Sequence, residues 1–379
     1  KNMDAAINAR IAEIDRLLSA QLNEIMHHEA FQKLEGSWRG LNYMVRNTLC
    51  SGQLKIRVMN VNKKDLLKDF ERALDFDQST MFKKIYEEEY GTFGGAPYGA
   101  LIGDYEFGNH PQDMALLEKI AGVAAAAHAP FLSAASAGMF GWDEFHDMTE
   151  VRDVSKIFDR AEYMKWRSFR ESEDSRYVGL TLPHVLGREP YGAATKPIES
   201  FRYEEDVDGT DHKKYLWSNA AYSLGVRMTE AFSMHGWCVA IRGVEGGGLV
   251  DGLPTHTFET DDGEVAMKCP TEVAITDRRE KEFSDNGFIP LVHCKGTDYA
   301  AFFATQSANK AKKYDTNEAN ANARLSTQLQ YMMAISRFAH YLKSMMRDKV
   351  GSFMSRQDAQ DFLNRWIRNY VLDNDVASQ

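Results

Sequence analysis

The chain contains 379 residues, of which 44% are hydrophobic, so it can bury a substantial core and is predicted to form about two or three domains. Its formal net charge of −10 argues against a dominant nucleic-acid surface, which would need clustered positive charge. No uninterrupted apolar stretch approaches the roughly 20 residues that span a bilayer, so direct membrane insertion is not predicted.

The first element is predicted to be an amphipathic helix over residues 3–31. Its apolar residues follow a near-heptad pattern and are Ile7, Ile11, Ile14, Leu18 and Ile25. Such a stripe must be covered, and the pattern leaves open whether this chain or another chain covers it. Residues 36–40, which contain Gly36 and Gly40, are predicted to end this helical region before a short helix or turn begins.

A strand and a parallel crossover unit are predicted next. Residues 54–61 alternate apolar and polar side chains as a half-buried strand does, and residues 63–74 follow as a helix. The crossover unit consists of a strand at residues 100–104, a helix at 114–128 and a strand at 130–135. The residues after both strands are mostly small, apolar or aromatic, which favours packing over phosphate binding or proton transfer.

Alternating helices and strands continue through the rest of the chain, which predicts an α/β class with mixed α+β character. The later helices are predicted at residues 151–169, 215–235, 277–285, 317–347 and 357–371, and the later strands at 177–183, 237–241, 271–275 and 288–292. Residues 187–209 have a loop composition and are predicted to form a mobile or surface excursion. A domain boundary is predicted near residues 243–252.

An α/β enzyme or nucleotide-binding protein is the rival hypothesis. Asp104 and Glu106 end the central strand on one pleat face, where open α/β sheets bind ligands and paired carboxylates can perform acid–base chemistry. A hydrogen-bonded turn is the competing interpretation and is favoured, and such a turn could cap the helix that follows Pro111. The loop around Gly246 could cradle a phosphate, but no Gly-Lys-Ser/Thr follows it, which favours a hinge or turn.

Metal and thiol sites are also weakly indicated. His27, His28 and Glu29 offer ligands, but adjacent helical residues point about 100° apart and do not converge on one ion. His293 and Cys294 suggest a base and a nucleophile, but strand neighbours face opposite sides, so a buried thiol is expected. The four cysteines lie far apart and are expected to be reduced. The sequence therefore predicts no catalytic residue, no metal and no cofactor.

Four runs of residues, spread over nearly the whole chain, carry a family resemblance. They are Leu34-Glu35-Gly36-Ser37-Trp38-Arg39-Gly40-Leu41, Tyr98-Gly99-Ala100-Leu101-Ile102-Gly103-Asp104-Tyr105-Glu106-Phe107, Ser133-Ala134-Ala135-Ser136-Ala137-Gly138-Met139-Phe140-Gly141 and Arg337-Phe338-Ala339-His340-Tyr341-Leu342-Lys343. Together they closely resemble the large sheath subunit of the bacterial type VI secretion system (the TssC/VipB family), a relative of contractile phage tail sheaths. A phage-like sheath that acts outside a secretion system is an alternative.

The resemblance implies a contractile tail sheath-like fold, with mixed sheets flanked by helices and an N-terminal outer helix. Residues 1–34 would pack with the small sheath subunit, residues 35–245 would form the middle α/β sheath domain, and residues 246–379 would form the inner core domain. Members of this family continue into terminal strands that join sheets in neighbouring subunits. Those strands are expected to be missing from this chain.

The implied function is structural and cytoplasmic. Heterodimers with the small sheath subunit would stack with other copies around a tube of a hexameric ring protein, joined to a baseplate. Contraction would propel the tube, and a hexameric AAA+ ATPase would disassemble the contracted form. Within this assembly, a basic cluster is expected to contact the tube or a lateral neighbour, and it consists of Lys310, Lys312 and Lys313.

Overall fold

The structure, a computed structural model, describes residues 2–260, 262–352 and 355–371. Its helices are α1 (Asn2–Met26), α2 (Glu29–Arg46), α3 (Lys63–Arg72), α4 (Thr80–Phe82), α5 (Pro111–Ala127), α6 (Met164–Glu171), α7 (Ala221–His235), α8 (Asp277–Asp285), α9 (Asn317–Leu325), α10 (Leu329–Asp348) and α11 (Arg356–Ile367). Its strands are β1 (Leu101–Phe107), β2 (Phe131–Ala135), β3 (Val178–Leu182), β4 (Val185–Leu186), β5 (Trp217–Ser218), β6 (Leu249–Val250), β7 (Thr257–Glu259), β8 (Val265–Met267), β9 (Ile289–Pro290), β10 (Val292–His293) and β11 (Ala300–Ala301). The predicted mixed α/β class is confirmed.

A four-stranded parallel sheet forms the centre of the fold, with the strand order β1-β2-β3-β9. α5 connects β1 to β2, which confirms the predicted parallel crossover unit. All residues of β2 and β3 are buried, as expected for a parallel sheet that is covered on both faces. Phe131 packs into one core cluster together with α5, whereas its neighbour Leu132 packs into a second cluster with Leu224 of α7 and Met333 of α10.

Three smaller sheets surround the central one. One is antiparallel with the order β10-β11-β6, and the other two are the pairs β4-β5 and β7-β8. The strand predicted at residues 288–292 is divided between two sheets, because β9 pairs with β3 while β10 pairs with β11. The central sheet therefore takes strands from both sides of residues 243–252. The division into residues 1–34, 35–245 and 246–379 stays a prediction.

The prediction that residues 36–40 end the helical region is wrong, because α2 runs through both glycines. A Cβ atom at Gly36 would lie 2.6 Å from the carbonyl oxygen of Trp217. At Gly40 it would lie 2.3 Å from the ring of Tyr222. These glycines therefore permit close contact of α2 with β5 and α7, which outweighs their low helix propensity.

The strand predicted at residues 54–61 is not formed. Among the described residues, no backbone hydrogen bond pairs residues 55–60 with another segment. The alternation of side chains indicates that a segment is suited to a sheet. It does not show whether the partner strand belongs to the same chain.

Most of the helix predicted at residues 151–169 is replaced by short 3-10 turns up to residue 163, after which α6 begins. The guanidinium group of Arg167 donates hydrogen bonds to the carbonyl oxygens of Phe158 and Arg160. These carbonyls are therefore satisfied by a side chain, and the local chain does not need a continuous helix to pair them.

Two further predicted strands lack a ladder. Residues 237–241 form no strand, and residues 271–275 contribute only an isolated bridge between Thr271 and Val185. Apolar residues of both segments pack into the core, as the buried Ile241, Val273 and Ile275 show, although Val239 is exposed. Burial produced the strand-like composition in these places without sheet pairing.

The helix predicted at residues 317–347 is divided into α9 and α10. At the division, the carbonyl oxygen of Thr327 accepts a hydrogen bond from the N–H of Ser307 at 2.9 Å. The N–H of Leu329 donates to the carbonyl oxygen of Thr305 at 2.7 Å. Pairing with this neighbouring segment replaces the helical hydrogen bonds and separates the two helices.

Candidate interaction surface

Residues 3–14, about the first half of α1, make no contact that buries their side chains in this chain. Every side chain in residues 3–14 is exposed. The five stripe residues predicted from the sequence are each 49% to 53% exposed, and they are Ile7, Ile11, Ile14, Leu18 and Ile25. Within the described structure, the stripe is therefore not covered by its own domain.

The last third of α1 is anchored to the segment after residue 200. The Ser19 hydroxyl donates a hydrogen bond to the carbonyl oxygen of Arg202 at 3.5 Å. The Tyr203 hydroxyl donates to the side-chain oxygen of Asn23 at 2.7 Å, and Tyr203 itself is buried. One end of α1 is thus fixed to the body of the protein while the other end projects from it.

A buried arginine, Arg188, also holds the anchored end of α1 and the segment after residue 200 in place. The side chain of Arg188 is only 5% exposed and lies between Glu35 of α2 and Glu205, whose side chain is 1% exposed. Its Nε donates to Glu35 at 2.8 Å, and its two terminal nitrogens donate to the two oxygens of Glu205 at 2.6 and 2.9 Å. Burial alone would lower the pKa of Arg188, but these carboxylates raise it above its usual value.

This network changes the interpretation of residues 187–209, which were predicted to form a mobile or surface excursion. His27, between α1 and α2, also contacts Glu205, with 3.3 Å between its Nε2 and the carboxylate. The segment is irregular, as expected, but its buried Glu205 and Tyr203 tie it to both outer helices. The segment therefore holds α1 and α2 in place.

α2 carries a second exposed apolar stripe, which the sequence analysis did not identify. Because Gly36 and Gly40 face the body of the protein, residues on the opposite side of the helix face outward. Leu34, Trp38 and Val45 are exposed there, and Trp38 is 64% exposed. Their helical spacing in the sequence could have revealed this stripe had the glycines not been interpreted as a helix end.

The rival enzymatic site is occupied by an ion-paired cluster at the carboxyl ends of β1 and β3. The ring of His184 lies between two carboxylates, with Nδ1 2.5 Å from Glu272 and Nε2 3.1 Å from Glu106. Burial alone would lower the pKa of His184, but both carboxylates raise it to about 10. Burial would raise the pKa of Glu272, but hydrogen bonds from His184 and His212 lower it to about 2. Neither group titrates near neutral pH.

Asp104 and Glu106 do not act as a pair in this structure. The β1–β2 register shifts between Ile102 and Glu106, which disturbs the regular alternation of the strand. Asp104 lies near Tyr222, whose pKa is raised by burial and by this carboxylate. The favoured alternative, a hydrogen-bonded turn, is wrong because both acids lie within β1, and His110 rather than either acid caps α5.

The Gly246 loop forms a tight turn. Gly247 has a φ of 89°, and a Cβ atom there would lie 2.2 Å from the carbonyl oxygen of Ala240. The next element is the strand β6, so the loop does not supply the helix N-terminus that phosphate sites use. No hydrogen bond or ion pair within the described part of the chain joins this loop to Asp104 or Glu106.

The thiol and metal candidates also do not form a site within the described residues. Cys294 is exposed, so the expectation of a buried thiol at this position is wrong. The His293 ring donates a hydrogen bond to the carbonyl oxygen of Thr297, with 2.8 Å between Nε2 and the oxygen, and no hydrogen bond within the described residues joins it to Cys294. Within residues 2–260, 262–352 and 355–371, no group of three or more His, Cys, Asp or Glu side chains could hold a metal ion.

The three lysines of the basic cluster are exposed, but their surroundings differ. Lys312 forms an ion pair with Glu173, which also pairs with Arg176 at 2.9 Å. Lys310 is anchored through its backbone N–H, which donates to the carbonyl oxygen of Arg170 at 2.8 Å. These contacts place the cluster next to the end of α6.

Two family profiles match this chain. The profile described as "EvpB/VC_A0108, tail sheath N-terminal domain" covers residues 8–309, and that described as "EvpB/VC_A0108, tail sheath gpW/gp25-like domain" covers residues 318–379. The chain belongs to this tail sheath family. The type VI secretion system sheath protein TssC1 of Pseudomonas aeruginosa is 54% identical over 374 residues, which are 98% of this chain and 75% of that relative. The resemblance to the large sheath subunit of the type VI secretion system is thereby confirmed.

A sheath is built from many subunits, so the exposed apolar stripes of α1 and α2 belong to a chain that assembles with other sheath subunits. In the part of this sheath protein that the structure describes, no helix is both long enough and apolar enough to cross a membrane.

Proposed function

We propose that this chain is a noncatalytic large sheath subunit that binds the small sheath subunit through α1. The exposure of the α1 stripe is the observation that supports this proposal most directly. A helix without tertiary packing is only marginally stable in water, because nucleation is costly and no apolar face is buried. A partner helix that covered the five stripe residues would gain roughly 1 kcal/mol for each of them.

The heterodimers then polymerise around an inner tube of a hexameric ring protein, starting from a baseplate in the bacterial cytoplasm. Contraction of this sheath propels the tube, and a hexameric AAA+ ATPase recycles the contracted form. Membership in the sheath family supports this assembly. The exposed cluster of Lys310, Lys312 and Lys313 contacts the tube or a lateral neighbour, since it can pair with carboxylates on a partner surface.

The test replaces Ile11, Ile14 and Leu18 together by serine. We expect the triple variant to lose co-purification with the small sheath subunit after coexpression, because the apolar contact of α1 is removed. Affinity purification of the tagged chain, followed by quantitation of the small subunit, measures the effect.

A matched control replaces Ala9, Ala12 and Arg16 by serine on the opposite side of the same helix, where the side chains are also exposed. This variant should retain binding. Undiminished co-purification of the stripe variant would show that α1 does not hold the small subunit. Equal losses in both variants would indicate that helix stability, rather than the stripe, determines binding.

The enzymatic alternative has little support from the geometry, because Glu106 is already paired with His184 and the Gly246 loop is closed by its own backbone. A nucleotide or metal ion that binds the native state would raise the melting temperature. Such stabilisation would speak for the alternative.

A further inference from the structure

Residues 54–61 have the side-chain pattern of a strand but no ladder. No helix, turn or bend interrupts residues 54–62, and Asn62 at the end has φ −90° and ψ 162°. The backbone N–H and C=O groups of residues 55–60 form no hydrogen bond with any described residue. A row of free backbone donors and acceptors is what an incoming strand recognises.

Side chains hold this segment in place although its backbone is unpaired. The guanidinium group of Arg57 pairs with Glu89 and donates to the Tyr98 hydroxyl at 3.3 Å. At the other end, the Tyr105 hydroxyl of β1 donates to the carbonyl oxygen of Val61 at 2.7 Å. The segment is therefore positioned before any partner binds, which lowers the entropy that pairing costs.

A groove of about 490 Å³ lies beside the segment, between its last residues and α3. Met59, Asn60 and Val61 line one side, and Leu66 and Met81 line the other. Val58 and Met59 are 69% and 48% exposed. The groove can receive the side chains of a strand that runs along residues 55–60.

The charges that line this groove indicate which charge a bound strand should carry. Its lining includes three exposed cations, Lys68, Arg72 and Lys84, and two carboxylates, Asp65 and Asp69. Asp69 already accepts hydrogen bonds from two backbone N–H groups of α4, at 3.1 and 3.0 Å. Asp65 lies 3.7 Å from Lys68. Burial would raise the pKa of Asp69, but Arg72 helps to lower it and is partly compensated by that carboxylate, whereas Lys84 forms no ion pair with a described residue, so the remaining positive charge favours acidic side chains in the partner.

We propose that residues 55–60 pair with an extended, acidic segment of the small sheath subunit, which adds a strand along this groove. The inference rests on the proposed function, because it assigns a second contact to the partner that binds α1.

The position of the groove supports the choice of this partner over another copy of the chain. Lys63, at the start of α3, donates a hydrogen bond to the carbonyl oxygen of Glu106 at 2.7 Å. The pKa of Glu106 is lowered by its hydrogen bond to His184 and also by the nearby Lys33 of α2. α2 and α3 thus approach each other at Glu106, so a chain bound along the outer helices can reach residues 55–60.

The first test uses proline, which removes one backbone N–H at a time. In a strand, successive N–H groups point to opposite sides, so only one of Val58 and Met59 donates towards an added strand. We expect one of the variants Val58→Pro and Met59→Pro to weaken binding of the small subunit at least about fivefold, and the other to bind nearly as the parent does. Val58→Ala and Met59→Ala separate the side-chain effect from the backbone effect.

A second test uses charge. Lys84→Glu should weaken binding several-fold, whereas Lys83→Glu should not, because Lys83 is an exposed neighbour that does not line the groove. In the purified heterodimer, amide hydrogen exchange at residues 55–60 should be slower than at residues 51–53.

Several results would overturn the proposal. If the heterodimer forms while residues 55–60 exchange as fast as residues 51–53, the strand is absent and the α1 contact stands alone. If protection appears only in assembled tubules, the strand comes from another copy of the sheath. Equal losses for both proline variants would indicate damage to the fold rather than a ladder. Failure of the unmodified chains to form a heterodimer would remove both this proposal and the proposed function.

Discussion

At the scale of single residues, Arg188 determines how the outer helices are held. It joins Glu35 of α2 to Glu205 of the irregular segment, and all three side chains are largely buried. A buried ion pair gains little over an apolar contact, but removing one partner is costly, because the other charge stays buried. Arg188 therefore stabilises the region that anchors α1 without contacting the residues of the α1 stripe.

We expect Arg188→Met to lower the free energy of unfolding by about 3 to 5 kcal/mol, because Glu35 and Glu205 lose their shared cation. Urea denaturation followed by circular dichroism measures the change. Arg202→Met is the control, since Arg202 pairs with Glu204 on the exposed surface and should cost less than about 1 kcal/mol. Similar losses in both variants would contradict the structural role of Arg188.

His184 makes stability depend on pH. Burial lowers its pKa, but the hydrogen bonds that the protonated ring donates to Glu106 and Glu272 outweigh this effect and raise the pKa from 6.5 to about 10 in the folded protein. The protonated ring therefore stabilises the fold fully below about pH 6.5, and this contribution is lost as the pH rises towards 10. Glu272 behaves oppositely, because its pKa is lowered to about 2, so its contribution is lost only as the pH falls below about 4.5.

Replacing His184 by Gln should remove the alkaline part of this dependence. We expect the melting temperature of the parent to exceed that of His184→Gln most at pH 6, and the difference to shrink steadily up to pH 10. Thermal unfolding of both proteins across this range measures the effect. A difference that stays constant from pH 6 to pH 10 would show that His184 is not held in its charged form.

At the scale of elements, the packing of α2 depends on the absence of a side chain at Gly40. A Cβ atom there would lie 2.3 Å from the Tyr222 ring and 2.6 Å from the Ser218 hydroxyl. Gly40→Ala should gain about 1 kcal/mol of helix propensity but lose more through overpacking, with a net destabilisation of about 1 to 2 kcal/mol. Urea denaturation tests this expectation.

Gly52→Ala provides the comparison, because a Cβ atom there meets nothing within 4 Å. That variant should be as stable as the parent. If Gly40→Ala were equally harmless, α2 would not be packed tightly against β5 and α7, and the outward direction of Trp38 would lose its explanation.

At the scale of the whole molecule, weak surface contacts gain importance when a sheath repeats them in every subunit. Reversing the charges of Lys310, Lys312 and Lys313 to glutamate should leave small-subunit binding intact but reduce the number of tubules seen by electron microscopy after coexpression. Each lost pair is worth only about 0 to 1 kcal/mol, but the loss recurs in each subunit.

The control for this experiment reverses Lys165, Lys281 and Lys295, which are also exposed and bring the same change in net charge. Unchanged tubule formation by the first triple variant would remove the assignment of the basic cluster to the tube or a lateral contact. Equal loss in both variants would indicate a general effect of net charge.

Much of the central fold was predictable from local patterns. The parallel crossover of β1, α5 and β2 follows from two apolar runs around a helical run, and α8 occupies residues 277–285 as predicted. The α1 stripe was also recognisable from its spacing. The exposed stripe of α2 was missed, because glycine propensity indicated a helix end and the contact that requires Gly40 lies about 180 residues further along the chain.

By itself, the sequence determined the α/β class, the family and the apolar stripe of α1, because these depend on periodicity and on runs of matching residues. Only the tertiary structure decided which polar groups meet and which surfaces remain open. It paired Glu106 with His184, buried Arg188 between two carboxylates and left residues 55–60 without a ladder. The physical reason is that a pattern records which environment a residue prefers, whereas the partner that supplies this environment is selected by long-range packing and can lie in another chain.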